Sequence, residues 1–201
     1  MENKIILSII IPFYNVEEYF ERCLNSIFSQ NVLSEHFEVV AINDGSTDRS
    51  LEIAQQIATQ QSNLIVVSQE NKGQSAARNY GVRLAHGKYI WYVDSDDWIE
   101  EGCLQLIIPL LKGSDIDLFN FGHKNWYDGK LTTVPYKTDE MGIMCVEHFY
   151  KRSFLIDNGI CFVEGIYHED LEYSPRVCYL AVKQQSLDIS PYIVYKRPQS
   201  T

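Results

Sequence analysis

The sequence predicts an α/β protein with a doubly wound, mainly parallel central sheet and a smaller antiparallel region. In the first half, short runs of β-branched and apolar residues alternate with amphipathic helical stretches. Continuous apolar runs are typical of strands buried on both faces. The connections are short, as expected where a helix returns the chain to begin the next parallel strand. Sheets of this kind bind ligands at the carboxyl ends of their strands.

The first half contains four predicted strands and three predicted helices. The first strand is the apolar run 6–12, and apolar residues recur at helical spacing in the helix after it. In chain order the strands are expected at 6–12, 37–42, 64–67 and 89–93, and the helices at 16–30, 51–58 and 74–85.

The second half has a looser pattern. The segments 117–126 and 131–134 flank the turn Asp128–Gly129 and together predict an antiparallel hairpin. Helices are expected at 100–111, 145–155 and 169–181, and strand-like pieces at 186–189 and 192–195. No linker or repeat separates the halves, so we expect a single domain over residues 1–201. The chain stops without a polar tail or closing helix, which is consistent with a natural protein that continues.

Composition narrows the class of protein. A length of 201 residues is enough for one well-buried core, and 45% hydrophobic residues is typical of globular domains. The net charge of −10 argues against nucleic-acid binding, which needs Lys and Arg to neutralise phosphates. The five cysteines are scattered without a C-x-x-C pair, as in a reduced cytoplasmic protein. The apolar run 5–13 is too short for a membrane span and lacks a signal-peptide cleavage pattern.

An acidic cluster follows the strand at 89–93. Asp94 and Asp96 are two residues apart, so in an extended segment both side chains leave from the same face. Paired carboxylates suit a hard divalent cation, Mn²⁺ or Mg²⁺, that keeps open positions for phosphate oxygens. The alternative is a solvated turn in which Asp97 caps the next helix.

Two other strand ends reach the same edge of the predicted sheet. Tyr14 follows the first strand and can stack on a flat base, and Asp44 follows the second and can accept an N–H from a pyrimidine. Taken singly, Tyr14 is better explained as an ordinary surface ring, and Asp44 as a turn residue of Asn-Asp-Gly. Their convergence with the acidic cluster predicts a site for a nucleoside diphosphate.

Four segments in this order resemble the family 2 glycosyltransferases: Ser8 to Asn15, Asn43 to Asp48, Asn71 to Asn79, and Asp94 to Trp98. The resemblance implies the nucleotide-diphospho-sugar transferase fold called GT-A, with a nucleotide-binding half at 1–98 and an acceptor half at 99–201. It is strong over the first half and weaker beyond it. It is closest in kind to bacterial enzymes that build capsule, exopolysaccharide or cell-wall glycans.

The resemblance also implies roles for residues at matching positions. Nucleotide binding falls to Pro12, Tyr14, Asp44, Arg78 and Asp94. Asp44 would bind uracil, and Asp94 and Asp96 would form the metal-binding Asp-x-Asp pair, with Asp96 as the more direct ligand. For Arg78 the alternative is an ordinary arginine on a helix surface.

A Glu–Asp pair, Glu169–Asp170, stands where the family has one at the start of a helix. The resemblance implies that Asp170 is the general base and that Glu169 supports it, because transfer with inversion needs a carboxylate to take the acceptor's proton. The alternative is that the two acidic residues only stabilise the start of the helix through its dipole. His168 is expected to be a surface side chain, with a metal ligand as the alternative. Arg197 or Ser200 is expected to fold over the donor diphosphate.

The implied function is a metal-dependent, inverting glycosyltransferase. It would move sugar from a UDP-sugar to a glycan or lipid-linked saccharide in bacterial surface polysaccharide synthesis, and the acceptor would bring it to the inner face of the membrane. One alternative is a nucleotidyltransferase, which usually has a Gly-rich basic loop where this chain has Tyr14 to Glu18. Another is a non-catalytic sugar-nucleotide-binding module. A dinucleotide-dependent oxidoreductase is disfavoured because no G-x-G-x-x-G follows the first strand.

Overall fold

The computed structural model describes residues 5–137 and 144–196. The first half alternates strands and helices as predicted: β1 (Leu7–Phe13), α1 (Phe20–Phe28), β2 (Phe37–Asn43), α2 (Ser50–Ala58), β3 (Leu64–Ser68), α3 (Gln74–Leu84) and β4 (Tyr89–Tyr92). The first helix begins four residues later than predicted. The carbonyl of Val16 accepts hydrogen bonds from the N–H groups of Tyr19 and Phe20, which forms a separate turn before the helix.

The second half contains more strands than predicted. Its elements are β5 (Trp98–Ile99), α4 (Cys103–Lys112), β6 (Leu118–Asn120), β7 (His123–Tyr127), β8 (Lys130–Val134), β9 (His148–Lys151), α5 (Arg152–Asp157), α6 (Asp170–Leu180), β10 (Gln184–Ser186) and β11 (Tyr192–Tyr195). In the described ranges, no helix combines the length and the hydrophobicity that crossing a bilayer requires.

Two sheets carry these strands. The larger has seven strands in the order β10-β6-β9-β4-β1-β2-β3, and all pairings among β1 to β4 are parallel. β9 runs antiparallel to both of its neighbours. The smaller sheet has the order β5-β11-β7-β8 and is antiparallel except where β11 pairs with β7. The predicted class, a mainly parallel central sheet with a smaller region beside it, is confirmed.

The core lies on both faces of the central strands. Every residue of β1 and β2 is buried, as their continuous apolar character requires. Helix α3 packs closely on β1 at Gly81, where an added Cβ would lie 2.4 Å from Cγ2 of Ile10. This close approach holds the preceding turn of α3, which carries Arg78, beside the ends of the central strands.

The helix predicted at 145–155 is wrong. Cys145–Glu147 forms a 3₁₀ turn, His148–Lys151 is strand β9, and the helix α5 begins only at Arg152. The strand fills the gap between β4 and β6, where Tyr150 pairs with Ile90 on one side and Leu118 on the other. Long-range pairing in the sheet has therefore overridden the local helical pattern.

The predicted hairpin exists, but its first strand is divided. β6 joins the larger sheet and β7 the smaller one, and β7 pairs with β8 across the predicted turn. The chain changes sheets at Gly122, where an added Cβ would lie 2.3 Å from the carbonyl oxygen of Val134. Only glycine allows this approach. The strand predicted at 186–189 lies slightly earlier, as β10.

Candidate active site

A cavity of about 370 Å³ lies at the carboxyl ends of the central strands. It is lined by Pro12, Phe13, Tyr14, Asp44, Asn71, Gly73, Gln74 and Ser95. Three predicted nucleotide-binding residues therefore share one cavity. Tyr14 is 47% exposed, so its ring has a free face for a flat ligand.

Asp44 is almost fully buried and holds one wall of this cavity. Its Oδ1 accepts hydrogen bonds from Nε2 of Gln69 and the N–H of Lys72, each at 2.8 Å. Its Oδ2 accepts one from the N–H of Gly73 at 2.8 Å. A carboxylate has about four acceptor positions, so one remains on Oδ2. Asp44 can thus order the loop and still accept one donor from a ligand.

Asn15 ties the first two strand ends together, a role that sequence reasoning missed. Its N–H donates to Oγ of Ser46 at 3.2 Å, and its Oδ1 accepts the N–H of Thr47 at 2.8 Å. Its φ of 51° is in the left-handed region, which asparagine tolerates better than most residues. That tolerance is the signal that sequence reasoning could have used.

Asp94 lies at the centre of the charged groups in the site. Its Oδ1 accepts hydrogen bonds from Nη2 of Arg78 at 2.8 Å and from Nε2 of Gln74 at 2.9 Å. Burial raises the pKa of Asp94; the guanidinium of Arg78 opposes that rise, and the negative charges of Asp170 and Asp96 add to it. Like charges held this close favour either proton uptake or a cation.

Asp97 points into the protein. Its Oδ2 accepts the hydroxyl of Tyr192 at 2.6 Å and its Oδ1 the N–H of Tyr195 at 2.7 Å, which anchors β11 to the acidic turn. The alternative in which Asp97 caps the next helix is wrong, because α4 begins at Cys103 with Gly102 in the capping position. Burial raises the pKa of Asp97 to about 8, and the charges of Asp94 and Asp96 contribute to the rise.

This raised pKa predicts that stability depends on pH. Between the ordinary value of 3.8 and about 8, the folded protein holds a proton on Asp97 that the unfolded chain has released. Folding stability should therefore fall as pH rises through this range, by up to about 1.4 kcal/mol per pH unit from this group. Asn resembles the protonated acid, so Asp97→Asn should flatten the slope. Urea unfolding at several pH values in metal-free buffer measures it.

The matched control is Asp128→Asn, an equivalent change at an exposed turn residue of the β7–β8 hairpin. It should keep the wild-type slope. If wild type and Asp97→Asn lose stability in parallel from pH 4 to pH 8, Asp97 does not carry the proton.

Arg78 links the acidic cluster to the Glu–Asp pair. Its side chain is only 1% exposed, so the alternative of a helix-surface arginine is wrong. Nη2 contacts Asp94 at 2.8 Å, while Nη1 contacts Oε1 of Glu169 at 2.6 Å and Oδ1 of Asp170 at 3.5 Å. The guanidinium also lies 5.1 Å from the ring centroid of Phe162. Charge-assisted pairs of this kind are directional and strong.

Asp170 is the first residue of α6, and Glu169 precedes it at the capping position. Oδ2 of Asp170 accepts the N–H of Cys145 at 3.2 Å. Within the described part of the chain, Oδ1 accepts no hydrogen bond and has only its longer ion pair with Arg78. Oδ1 itself is buried, but 29% of the Asp170 side chain is exposed, so a ligand hydroxyl can approach the carboxylate from its exposed side and donate to it. Cys145 was not identified from the sequence.

Arg22 is a further residue that sequence reasoning missed. Its Nη2 donates to the carbonyl oxygen of Asp96 at 2.8 Å. Its guanidinium carbon lies 4.1 Å from the ring centroid of Trp98 and 4.6 Å from that of Tyr195. This stack holds the backbone of Asp96 between α1 and β11. His168 is exposed, as predicted, and Arg197 and Ser200 lie outside the described residues.

The carboxylates of the site suit a hard divalent cation only when a bound substrate supplies further oxygen atoms to the metal. Across residues 5–137 and 144–196, no three His, Cys, Asp or Glu side chains are grouped so that they could hold a metal by themselves. Mg²⁺-type ions are, however, commonly bound through one or two carboxylates together with substrate phosphates and water. Asp94 and Asp96 can supply such a pair, and the excess of carboxylates over Arg78 and Arg22 would be offset by the cation.

Comparison with known proteins identifies a family. Residues 8–162 match the family described as Glycosyl transferase family 2. Among solved structures, residues 1–349 of Staphylococcus aureus TarS in complex with UDP-GlcNAc superpose with a TM-score of 0.84 at 27% identity, covering 98% of this chain and 60% of that one. This likeness confirms the predicted GT-A fold.

Two curated relatives are similar in sequence. The glycosyltransferase EpsJ of Bacillus subtilis is 28% identical over 216 residues, which cover 97% of this chain and 62% of EpsJ. The poly(ribitol-phosphate) beta-glucosyltransferase of Bacillus spizizenii is 29% identical over 216 residues, 95% of this chain and 32% of that protein. The chain therefore spans at most about three fifths of the length of these relatives.

Proposed function

Because the chain belongs to glycosyl transferase family 2, we propose that it transfers a sugar from a UDP-sugar to a hydroxyl of a glycan or lipid-linked saccharide during synthesis of a bacterial surface polysaccharide. The observation that carries the proposal is the bridge made by Arg78. It joins Asp94 of the acidic cluster to Glu169 and Asp170. Donor and acceptor chemistry would thus share one cleft.

The donor would bind in the cavity at the strand ends. The half-exposed ring of Tyr14 would stack on the base, and the remaining acceptor position of Asp44 would receive the ring N–H of uracil. Pro12 lines the same cavity. The complex of TarS with UDP-GlcNAc supports the choice of a UDP-sugar.

Asp96 and Asp94 would hold a Mn²⁺ or Mg²⁺ ion, which when bound stabilises the negative charge of the departing diphosphate. Other residues of the chain hold both aspartates in position. Arg22 fixes the backbone of Asp96, while Arg78 and Gln74 fix Oδ1 of Asp94. Ligands held in place before binding cost less to organise when the donor arrives.

Asp170 would act as the general base. Its carboxylate would take the proton of the acceptor hydroxyl as the hydroxyl oxygen attacks the anomeric carbon and the bond to the diphosphate breaks. Arg78 and the N–H of Cys145 keep the carboxylate in position. A single displacement of this kind inverts the anomeric configuration and needs no covalent enzyme intermediate.

The test of this function is metal-dependent binding of uridine diphosphate. At a hundredfold excess over Kd, ligand binding stabilises a protein by about 2.7 kcal/mol, which for this chain length is roughly 5–10 °C in Tm. We expect that rise with Mn²⁺ and much less with a chelator. Asp96→Asn should remove the metal-dependent part, because an amide is a weaker ligand for a hard cation.

Glu101→Gln is the matched control for this measurement, since Glu101 is an exposed acid shortly after the cluster. It should retain the full metal-dependent shift. Equal stabilisation by uridine diphosphate with Mn²⁺ and with chelator would remove the metal from the proposal. Binding without any transfer of sugar would instead favour a non-catalytic module.

The preference for one nucleobase over the others gives an independent prediction. Uracil and thymine present one ring N–H to a carboxylate, whereas cytosine and adenine present none on that edge. Guanine presents a ring N–H beside an amino group and so needs two acceptor positions, but Asp44 has only one left. Uridine diphosphate should therefore bind best and thymidine diphosphate next, as measured by titration calorimetry. Guanosine diphosphate binding tenfold more tightly than uridine diphosphate, about 1.4 kcal/mol, would reject the role of Asp44.

A further inference from the structure

We propose that the acceptor is an uncharged glycan and that it docks beside Asp170 on an apolar surface formed by Val163, Ile166, Tyr167 and Leu171, with the ring of Tyr167 stacking on a sugar. This inference rests on the proposed function, because the acceptor surface matters only if Asp170 receives a hydroxyl proton. It goes further by naming the chemical class of acceptor and the side chain that recognises it.

The four side chains of the acceptor surface are apolar or aromatic, yet all of them are exposed. Tyr167 is 95% exposed, and Val163, Ile166 and Leu171 are 44%, 41% and 58% exposed. These four side chains lie within nine residues of the chain, and exposed apolar side chains that occur together commonly mark a binding surface, whereas single ones are normal. An aromatic ring with a polar hydroxyl can contact the C–H face of a sugar and hydrogen-bond at its edge.

The segment that carries the acceptor surface is held in place by contacts with α3 and α6. The side chain of Asn79 donates to the carbonyl of Phe162 at 3.0 Å and accepts its N–H at 2.8 Å. The ring of Phe162 stacks on Tyr173 of α6, with centroids 3.7 Å apart. Tyr167 is presented between Gly165 and His168, both with left-handed backbone (φ of 78° and 57°). These contacts order the backbone on both sides of Tyr167 before an acceptor arrives, so less of the backbone has to be ordered on binding.

Charge indicates an uncharged acceptor. The segment 157–172 contains five acidic residues, Asp157, Glu164, Glu169, Asp170 and Glu172, and no Lys or Arg. Two arginines from outside the segment contact it and are already paired, Arg78 with Glu169 and Asp170, and Arg176 with Glu172. Five acidic groups against these two cations leave the segment net negative. A polymer of phosphodiesters would be repelled here, because proteins bind polyphosphates through clustered Lys and Arg. The acceptor should thus differ in charge from the poly(ribitol phosphate) named for one relative.

The experiment compares transfer onto two kinds of acceptor. Labelled UDP-sugars are offered with uncharged gluco-, galacto- and N-acetylglucosamine oligosaccharides, and separately with poly(ribitol phosphate). We expect incorporation into an uncharged oligosaccharide and at least tenfold less into the anionic polymer at low salt. Saturation-transfer NMR with the same oligosaccharides measures acceptor binding directly, so the result does not depend on turnover.

Variants of two exposed tyrosines test the surface itself. Tyr167→Ala should raise the acceptor KM at least fivefold, while kcat and the hydrolysis of UDP-sugar without acceptor stay unchanged. Tyr167→Phe keeps the ring and should retain most of the affinity. Tyr179, 88% exposed near the other end of α6, is the matched control, and Tyr179→Ala should behave as wild type.

Several results would overturn the inference. They are preferential transfer onto poly(ribitol phosphate), no binding to any uncharged oligosaccharide, an unchanged KM in Tyr167→Ala, or Tyr167-dependent binding to phosphatidylcholine vesicles in place of glycan. The proposed function fails separately, through loss of UDP-sugar hydrolysis and of UDP binding with Mn²⁺. A chain that hydrolyses UDP-sugars but ignores the Tyr167 change contradicts only the acceptor surface.

Discussion

Asp170→Asn should lower the rate of sugar transfer by roughly a hundredfold to ten-thousandfold, the usual contribution of a general base. Asn keeps the size and polarity of the side chain but cannot take the proton of the acceptor hydroxyl. The N–H of Cys145 can still donate to the Asn carbonyl oxygen, so the local structure should survive. Initial rates at saturating donor and acceptor measure the effect.

Donor binding provides the internal check on this variant. Asp170→Asn should bind uridine diphosphate about as well as wild type, because the proposed base would face the acceptor. Asp157→Asn, the same change at an exposed position at the end of α5, should leave transfer unaltered. NMR of the product should show inverted configuration at the anomeric carbon. Transfer by Asp170→Asn at near the wild-type rate, or a product with retained configuration, would exclude Asp170 as the base.

Arg78→Met should destabilise the protein by about 3–5 kcal/mol, the usual cost of removing one partner from a buried ion pair. The methionine fills much of the volume but leaves Asp94, Glu169 and Asp170 without their shared cation. Arg78→Lys should lose less, since it keeps the charge. A single ammonium cannot, however, reproduce two nitrogens directed at two separate groups. Urea unfolding at constant pH measures both variants.

Arg83→Met is the control for this prediction, because Arg83 is an exposed arginine on the same helix. Its effect should stay within about 0.5 kcal/mol, as for most surface substitutions. If Arg78→Met and Arg83→Met unfold at the same urea concentration, the ion pairs of Arg78 contribute nothing to stability.

The first half of the fold could be predicted because its signals are local. β1 and β2 are buried along their whole length, so they stand out as apolar runs, and α3 begins shortly after a glycine, Gly73, with φ of 89°. β9 could not be predicted in the same way. Its identity as a strand depends on β4 and β6, which lie distant in the chain, and the division between β6 and β7 depends on where the partner strands lie.

The residues of the candidate site also differ in whether local sequence signals could identify them. Tyr14, Asp44 and Asp94 were identified because each follows a recognisable strand. The residues that hold them in place were harder to predict, because the spacing of residues along the chain does not reveal contacts between residues that are distant in sequence. Arg78 meets Glu169 from 91 residues away, and Arg22 meets Asp96 from 74 residues away. Arg78 was identified only through the family resemblance, which did not indicate its ion pairs.

The anchoring of Asp97 by β11 bears on biosynthesis. Tyr192 and Tyr195 reach Asp97 from 95 and 98 residues further along the chain. On the ribosome, β1 to β4 are released long before β11, so their pairing can begin early, while the acidic turn at their edge has no partner for its buried carboxyl group. Contacts between such distant residues form slowly, because a long loop must close first. We therefore expect the acidic turn to reach its final structure last, after the strands that carry it. A nascent chain stalled before Tyr192 should have a nearly complete central sheet and an unfinished acidic turn.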